Sequence, residues 1–208
     1  MARKFKLIGF QGSAEDLKSL FLANGLDVQL EEDDWISVSQ TFRKVYAAQD
    51  YLDAAQHYLN LNPPDLMQAG EKLWGCVSYV VQKFYSQMNV CIKSHRATRA
   101  LCLYAIDFHP QTSVGRKLTT AYYNGEESHK NFYRPEYIKS ELEKFKSNIL
   151  FFATEFPKIN YKQVENSLLP YIEGKMATTD DLEGIVFNKC KVKEEIGSDT
   201  YQANYQAK

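Results

Sequence analysis

The chain has 208 residues, 44% of them hydrophobic and 25% charged, proportions near the globular average that exclude wholesale disorder. Lys and Arg number 25 against 26 Asp and Glu, and the net charge of -1 excludes a uniformly basic nucleic-acid coat while leaving room for a local patch. Tyr 14, Phe 12 and Trp 2 make up 13% of the chain, so either the core is rich in aromatic rings or some of them face a partner.

Residues 4–10 read as a strand. Ser13 and Asp16 form a capping box for a helix over Ala14–Asn24, which Gly25 ends. Leu26–Leu30 and Trp35–Ser39 read as two strands around the acidic turn Glu31-Glu32-Asp33-Asp34. Residues 1–39 are thus a small α+β appendage of βαββ type.

From residue 40 the hydrophobic period becomes helical. Phe42, Val45, Gln49, Leu52, Gln56 and Leu59 share a face, and Asn62-Pro63-Pro64 stops that helix. Leu66, Gly70, Leu73, Val77, Val81, Phe84 and Met88 make the strongest stripe, flanked by Trp74 and Val80. Gly70 and Gly75 inside it each cost roughly 1 kcal/mol of helix propensity against Ala, which predicts close helix packing at both. Ser94 caps a third helix with stripe Ala97, Leu101, Tyr104 and Phe108. A fourth starts at Thr112 or Ser113 and carries Val114, Leu118, Ala121, Gly125 and Phe132. Pro135 suits the first position of a fifth, whose buried stripe is Ile138, Leu142, Phe145, Ile149 and Phe152. Val164, Leu168 and Leu169 suggest a short helix before Pro170. Gly184–Val192 reads as a strand and the last ten residues as a loose tail.

The expected fold is mainly α: an antiparallel four- to five-helix bundle over residues 40–156. The appendage precedes it, and a partly disordered extension, residues 157–208, follows it. No run of about 18 apolar residues is present, so no membrane partner is expected. The start lacks the apolar run of a signal peptide. Cys76, Cys91, Cys102 and Cys190 form no C-x-x-C pair and read as reduced thiols, without a zinc site. The expected location is intracellular, cytoplasmic or nuclear.

Two clusters carry the chemistry. The first is Lys93-Ser94-His95-Arg96 with Arg99. Arg96 and Arg99, three apart on a helix, share a face. Cations at a helix N-terminus oppose the macrodipole, and an anion would relieve this, either Glu71 from another helix or a phosphate. The plainer reading is a solvated basic face. The second is Glu126-Glu127-Ser128-His129-Lys130-Asn131-Phe132-Tyr133. His129 lies on the edge of an apolar face, where a histidine is more often a hydrogen-bonded core residue than a catalyst. Asn131 and Tyr133 are polar groups that could orient it, and Glu126-Glu127 reads as an exposed face. No two histidines stand at the i, i+4 spacing of a metal pair, and Phe10-Gln11-Gly12-Ser13 lacks the glycines and Lys of a phosphate loop. No metal or cofactor is expected.

The segments Gln68-Ala69-Gly70-Glu71-Lys72-Leu73-Trp74-Gly75-Cys76, Ser94-His95-Arg96 and Glu127-Ser128-His129-Lys130-Asn131-Phe132-Tyr133 resemble, in order and spacing, the archaeal PaREP-type branch of the HEPN superfamily. The resemblance covers about residues 40–155. It implies an up-and-down helical bundle that often dimerises. Many HEPN domains are metal-independent RNases whose motif is an Arg and a His separated by four to six intervening residues. The His moves a proton and the Arg stabilises the phosphorane charge. His129 could occupy the His position, but the residues at the Arg position are Tyr122, Tyr123 and Asn124, and the nearest upstream Arg is Arg116. That departure points away from the nuclease members and toward the non-catalytic ones, which bind nucleotides, RNA or proteins.

The expected function is a non-catalytic binding module, homodimeric, that recognises RNA or a nucleotide through a basic inter-helical cleft. Its expected contacts are His95, Arg96, Arg99, Glu71, Lys72, His129, Asn131 and Tyr133. One alternative is a protein-interaction adaptor that docks a partner through residues 1–39 or the C-terminal extension. Another is a divergent metal-independent RNase using His129 with a non-local Arg. The segment Lys83 to Arg134 holds eight basic residues against Asp107, Glu126 and Glu127, so overall neutrality hides a local positive surplus. Tyr122, Tyr123 and Tyr133 are the aromatic residues most open to a ligand.

Overall fold

The computed structural model describes residues 3–6, 26–31, 35–41, 46–134, 136–177, 182 and 184–208. The chain divides into two compact units, Met1–Val45 and Tyr46–Lys208. The boundary thus falls a few residues after the predicted one, and residues 157–208 belong to the same unit as the central helices. The described chain is mainly helical.

In the first unit β1 (Arg3–Lys6), β2 (Leu26–Glu31) and β3 (Trp35–Thr41) form an antiparallel sheet of order β1-β3-β2. The register puts Phe5 opposite Ile36 and Leu30 opposite Ile36 from the other side. The predicted helix over 14–24 and its capping box, residues 7–10 of the first strand, and Phe42 and Val45 of the next helix lie outside the described residues.

The second unit contains six described α-helices. They are α1 (Ala48–Asn60), α2 (Leu66–Ser86), α3 (His95–Ile106), α4 (Thr112–Tyr133), α5 (Lys139–Glu155) and α6 (Tyr161–Ile172). Their starts follow from local chemistry. The Asp65 carboxylate accepts from the Gln68 N–H at 2.9 Å, and Ser94 Oγ accepts from the Ala97 N–H at 3.1 Å. Each side chain satisfies a donor that the first turn leaves without a helical partner.

α2 is the central helix and packs against α1, α4 and α5. Leu73, Cys76, Val77, Val81 and Phe84 are buried along it and meet Leu118 and Ala121 of α4 and Leu142, Ile149 and Phe152 of α5. Phe152 stacks on Phe156 with ring centroids 4.8 Å apart. The α2 glycines sit where neighbours come closest. A Cβ on Gly70 would collide with the carbonyl oxygen of Ser128 on α4, and one on Gly75 would lie 2.5 Å from the Tyr51 ring. Gly125 faces α2 in turn, where a Cβ would lie 2.7 Å from Val77 Cγ2.

Three differences from the sequence reading have plain causes. α6 runs through Pro170 instead of stopping before it. Proline forfeits a single N–H bond there, while Val164, Leu168 and Ile172 continue one buried stripe. Leu169, off that stripe, is exposed. α5 begins at Lys139 instead of Pro135, and Ile138 is its exposed cap residue, with the Glu141 carboxylate accepting its N–H. The last ten residues are no loose tail. β5 (Phe187–Ile196) and β6 (Asp199–Ala207) form an antiparallel hairpin.

β6 also pairs in parallel with β4 (Val90–Ile92), a strand the sequence reading did not foresee. The hairpin therefore clamps the connection between α2 and α3. Lys93 N–H donates to Ala207 O at 2.9 Å, and Lys93 Nζ contacts Glu194 Oε1 at 2.6 Å. No described helix is long and apolar enough to cross a membrane.

Candidate functional site

Three rings from three helices meet beside the junction of α2, α3 and α4. They are Trp74 of α2, His95 of α3 and His129 of α4. Centroid separations are 5.2 Å for Trp74–His95, 5.1 Å for His95–His129 and 5.7 Å for Trp74–His129, and the planes tilt by 13°, 16° and 27°. Trp74 is buried, His129 is part-buried and His95 is exposed. The group is thus anchored at its indole and open at its first histidine.

Sequence places each ring. Ser94 caps α3, which makes His95 its first helical residue. Glu71 precedes Trp74 by three residues on α2, so the two share a face. The Glu71 carboxylate lies 2.5 Å from His129 Nδ1. A carboxylate only accepts, so Nδ1 carries the hydrogen and Nε2 is the nitrogen left for another partner. Tyr133, one turn beyond His129 and 75% exposed, packs edge-on against its ring at 5.3 Å.

Arg99 follows His95 by one turn on α3. Its guanidinium donates to the Tyr123 hydroxyl at 3.3 Å, lies over the Tyr123 ring at 5.2 Å and stands 3.9 Å from Glu126. The hydrogen bond to Tyr123 and the charge of Glu126 both hold the Arg99 guanidinium more firmly protonated than usual. The seam between α3 and α4 is therefore lined by His95 and Arg99 on one side and by Tyr123, Glu126, His129 and Tyr133 on the other.

The other expected contacts sit differently. The Arg96 guanidinium packs on Gly184 in the segment before β5. Lys72 is turned toward the start of α1, with its ammonium 5.1 Å from the centre of the Tyr46 ring. Asn131 is fully buried and holds backbone in place. Its Oδ1 accepts from the Glu136 and Tyr137 N–H groups at 2.8 and 2.9 Å, and its Nδ2 donates to Leu66 O at 3.5 Å. Glu71, not Asn131, orients His129.

Tyr122 is fully buried, with its hydroxyl donating to Glu126 Oε1 at 3.1 Å. Burial pushes its phenol well above the usual range, and the Glu126 charge adds to this. The signal for burial was available, since Tyr122 follows Leu118 by four on the apolar stripe. Glu126 and Glu127 are not a free acidic face. Glu126 serves Tyr122 and Arg99, and Glu127 accepts from Lys130 Nζ at 2.5 Å and from the Tyr137 hydroxyl at 2.8 Å.

Part of the positive charge of residues 83–134 is paired in space. Lys83 pairs with Asp199, Lys93 with Glu194, and Arg134 with Glu136. Two of those three carboxylates come from the hairpin. Among the described residues no group of three or more His, Cys, Asp or Glu could hold a metal ion. No family model, curated protein or solved structure matches the chain.

Proposed function

We propose that the second unit is a HEPN-like antiparallel helical bundle whose non-catalytic task is to bind RNA or a nucleotide at the seam of α3 and α4. One observation carries this reading: His95 and His129, distant in the chain, stand 5.1 Å apart on a shared aromatic base. Exposed His95 and Tyr133 offer ring surface to a base. Arg99 offers a guanidinium to a phosphate, and His129 offers Nε2 as an acceptor to a ribose hydroxyl or a base N–H. Stacking carries more of this reading than bulk charge, because Lys83, Lys93 and Arg134 are each held by a carboxylate.

The test is RNA binding as a function of salt, for the intact protein and for Arg96→Ala/Arg99→Ala. Binding should strengthen as salt falls, because phosphate contacts release counterions, and the double variant should weaken it. Absence of binding at low salt overturns the reading.

One contact favours a second reading, a metal-independent RNase. A carboxylate on Nδ1 with Nε2 left over is the arrangement of a histidine that moves protons. Cleavage of generic RNA in EDTA, abolished in His129→Ala, would support it. Cleavage unchanged in that variant would overturn it.

A further inference from the structure

A groove opens on the other side of His95 from the seam. It runs between α2 and α3 and is lined by Trp74, Ser78 and Gln82 of α2, by Ile92 and Lys93 of β4 and its end, and by Ser94, His95 and Thr98 at the start of α3. Trp74, Ser78 and Gln82 are spaced by four on α2, so they form one wall. None of Ser78, Gln82, Ile92 or Thr98 belongs to the contacts expected from the sequence.

The lining has a specific chemistry. Trp74 and Ile92 supply apolar surface. The charge of Lys93 is held by Glu194 at 2.6 Å, so the groove is not built for an anion. The Thr98 hydroxyl donates to Ser94 O at 3.0 Å and the Ser94 hydroxyl accepts from Ala97 N–H at 3.1 Å, which ties both to the α3 turn and leaves the Ser94 O–H as a further donor at the groove's end. Gln82 Nε2 donates to Ser78 Oγ at 2.8 Å. That bond uses one amide hydrogen, so Gln82 Oε1 remains an acceptor and the Ser78 O–H remains a donor. The groove thus joins apolar walls to one adjacent acceptor–donor pair, without net charge.

That combination suits a flat, neutral heteroaromatic ring with a hydrogen-bonding edge. We infer that this groove is a nucleobase subsite, in which Gln82 and Ser78 meet the polar edge of a base beside Trp74 and His95. The inference rests on the proposed binding of RNA or nucleotide at the seam. His95 stands between the two places, with the base on its α2 side and the phosphate on its α4 side near Arg99.

Calorimetric titration with charge-matched probes tests it. One pair is adenosine 5′-monophosphate against ribose 5-phosphate. The other is a five-residue oligoadenylate against the same oligomer without bases. The base-bearing member of each pair should bind about tenfold tighter or more, given the usual gain of about 1–3 kcal/mol per stacked base. Ser78→Leu and Gln82→Leu, which fill the groove, should reduce that ratio to about one for the mononucleotide pair, lower it for the oligomer, whose other bases still meet Tyr133, and leave the base-free probes unaffected. Retained binding of those probes shows that the variants are folded, and Gln82→Ala gives a milder loss in the same direction. Equal binding within each pair overturns the subsite. So does unchanged base preference in the groove variants when Arg99→Ala or His129→Ala abolishes binding, and in that case the seam reading survives. If none of the four probes binds at low salt, both readings fail.

Discussion

Glu71 on α2 holds His129 on α4 through a hydrogen bond of 2.5 Å between Oε1 and Nδ1. The bond fixes the tautomer as well as the ring orientation, because the carboxylate has no hydrogen to give. Nitrogen-15 correlation spectra of the imidazole should show the hydrogen on Nδ1 of His129. In Glu71→Ala that preference should disappear, and the His129 ring signals should broaden or move. Unchanged signals in Glu71→Ala would mean that the ring is held by packing alone.

Trp74 supports both core and site. It is 7% exposed, and it touches His95, His129 and Tyr122 through its rings. Trp74→Ala should cost about 3–5 kcal/mol in urea denaturation. Arg99→Ala, a change at a largely exposed side chain, should cost less than about 1 kcal/mol. The reverse order would show that the scaffold and the binding surface have been interchanged.

Gly70→Ala should destabilise the protein although alanine is the better helix former. The added methyl meets the Ser128 carbonyl, a backbone atom that moves only with α4. The gain of about 1 kcal/mol in propensity is then outweighed by an overpacking cost of about 1–3 kcal/mol. A rise in melting temperature for Gly70→Ala would contradict this packing.

Asn131→Ala should loosen the entrance to α5. The substitution leaves the Glu136 and Tyr137 N–H groups without their acceptor. An unsatisfied donor costs about 1–3 kcal/mol when buried, and these two lie at part-buried positions, which sets the expectation at the lower end of that range. Denaturation should show a loss in that range, and hydrogen exchange should accelerate at those two amides. Exchange as slow as in the parent protein would show that another acceptor takes over.

Stability should fall in acid partly through Glu127. The hydrogen bond from Lys130 holds its carboxyl below the usual range, with Tyr137 adding to this against the opposing effect of burial. A depressed carboxyl contributes stability that is complete above the unfolded value of about 4.3 and is lost as pH falls through the folded value. The stability gap between the parent and Glu127→Gln should therefore be constant above about pH 5 and close at lower pH. Tyr137, whose hydroxyl donates to Glu127, is pushed up to about 12. Its contribution is complete below about pH 10 and disappears as pH rises through that folded value, which phenolate absorbance can follow.

Much of the fold was legible from residues close in sequence. The Ser94 cap, the α2 stripe and the tight helix contacts at Gly70 and Gly75 could all be read from local pattern, because capping and helical periodicity depend on neighbours within a few residues. The β4–β6 pairing could not. Val90-Cys91-Ile92 is too short to signal a strand, and its partner lies at the far end of the chain. The site divides in the same way. His95, Arg99, Glu71 and His129 could be singled out by residue type and position. Asn131 and Tyr122 were misjudged because a polar group's role depends on which backbone or side chain it meets.

By itself, the sequence determined that helices form between residues 48 and 172, where α3 begins and which α2 glycines need close neighbours. Those features follow from propensity, capping and the period of the apolar residues. Only the tertiary structure decided that Glu71 serves His129 rather than a cation on α3, and that His95 and His129 share one aromatic base. It also decided that Lys83 and Lys93, part of a positive surplus measured along the chain, are paired with carboxylates of the hairpin. Pairings of this kind depend on how helices pack and where a distant strand returns, and no local period encodes either.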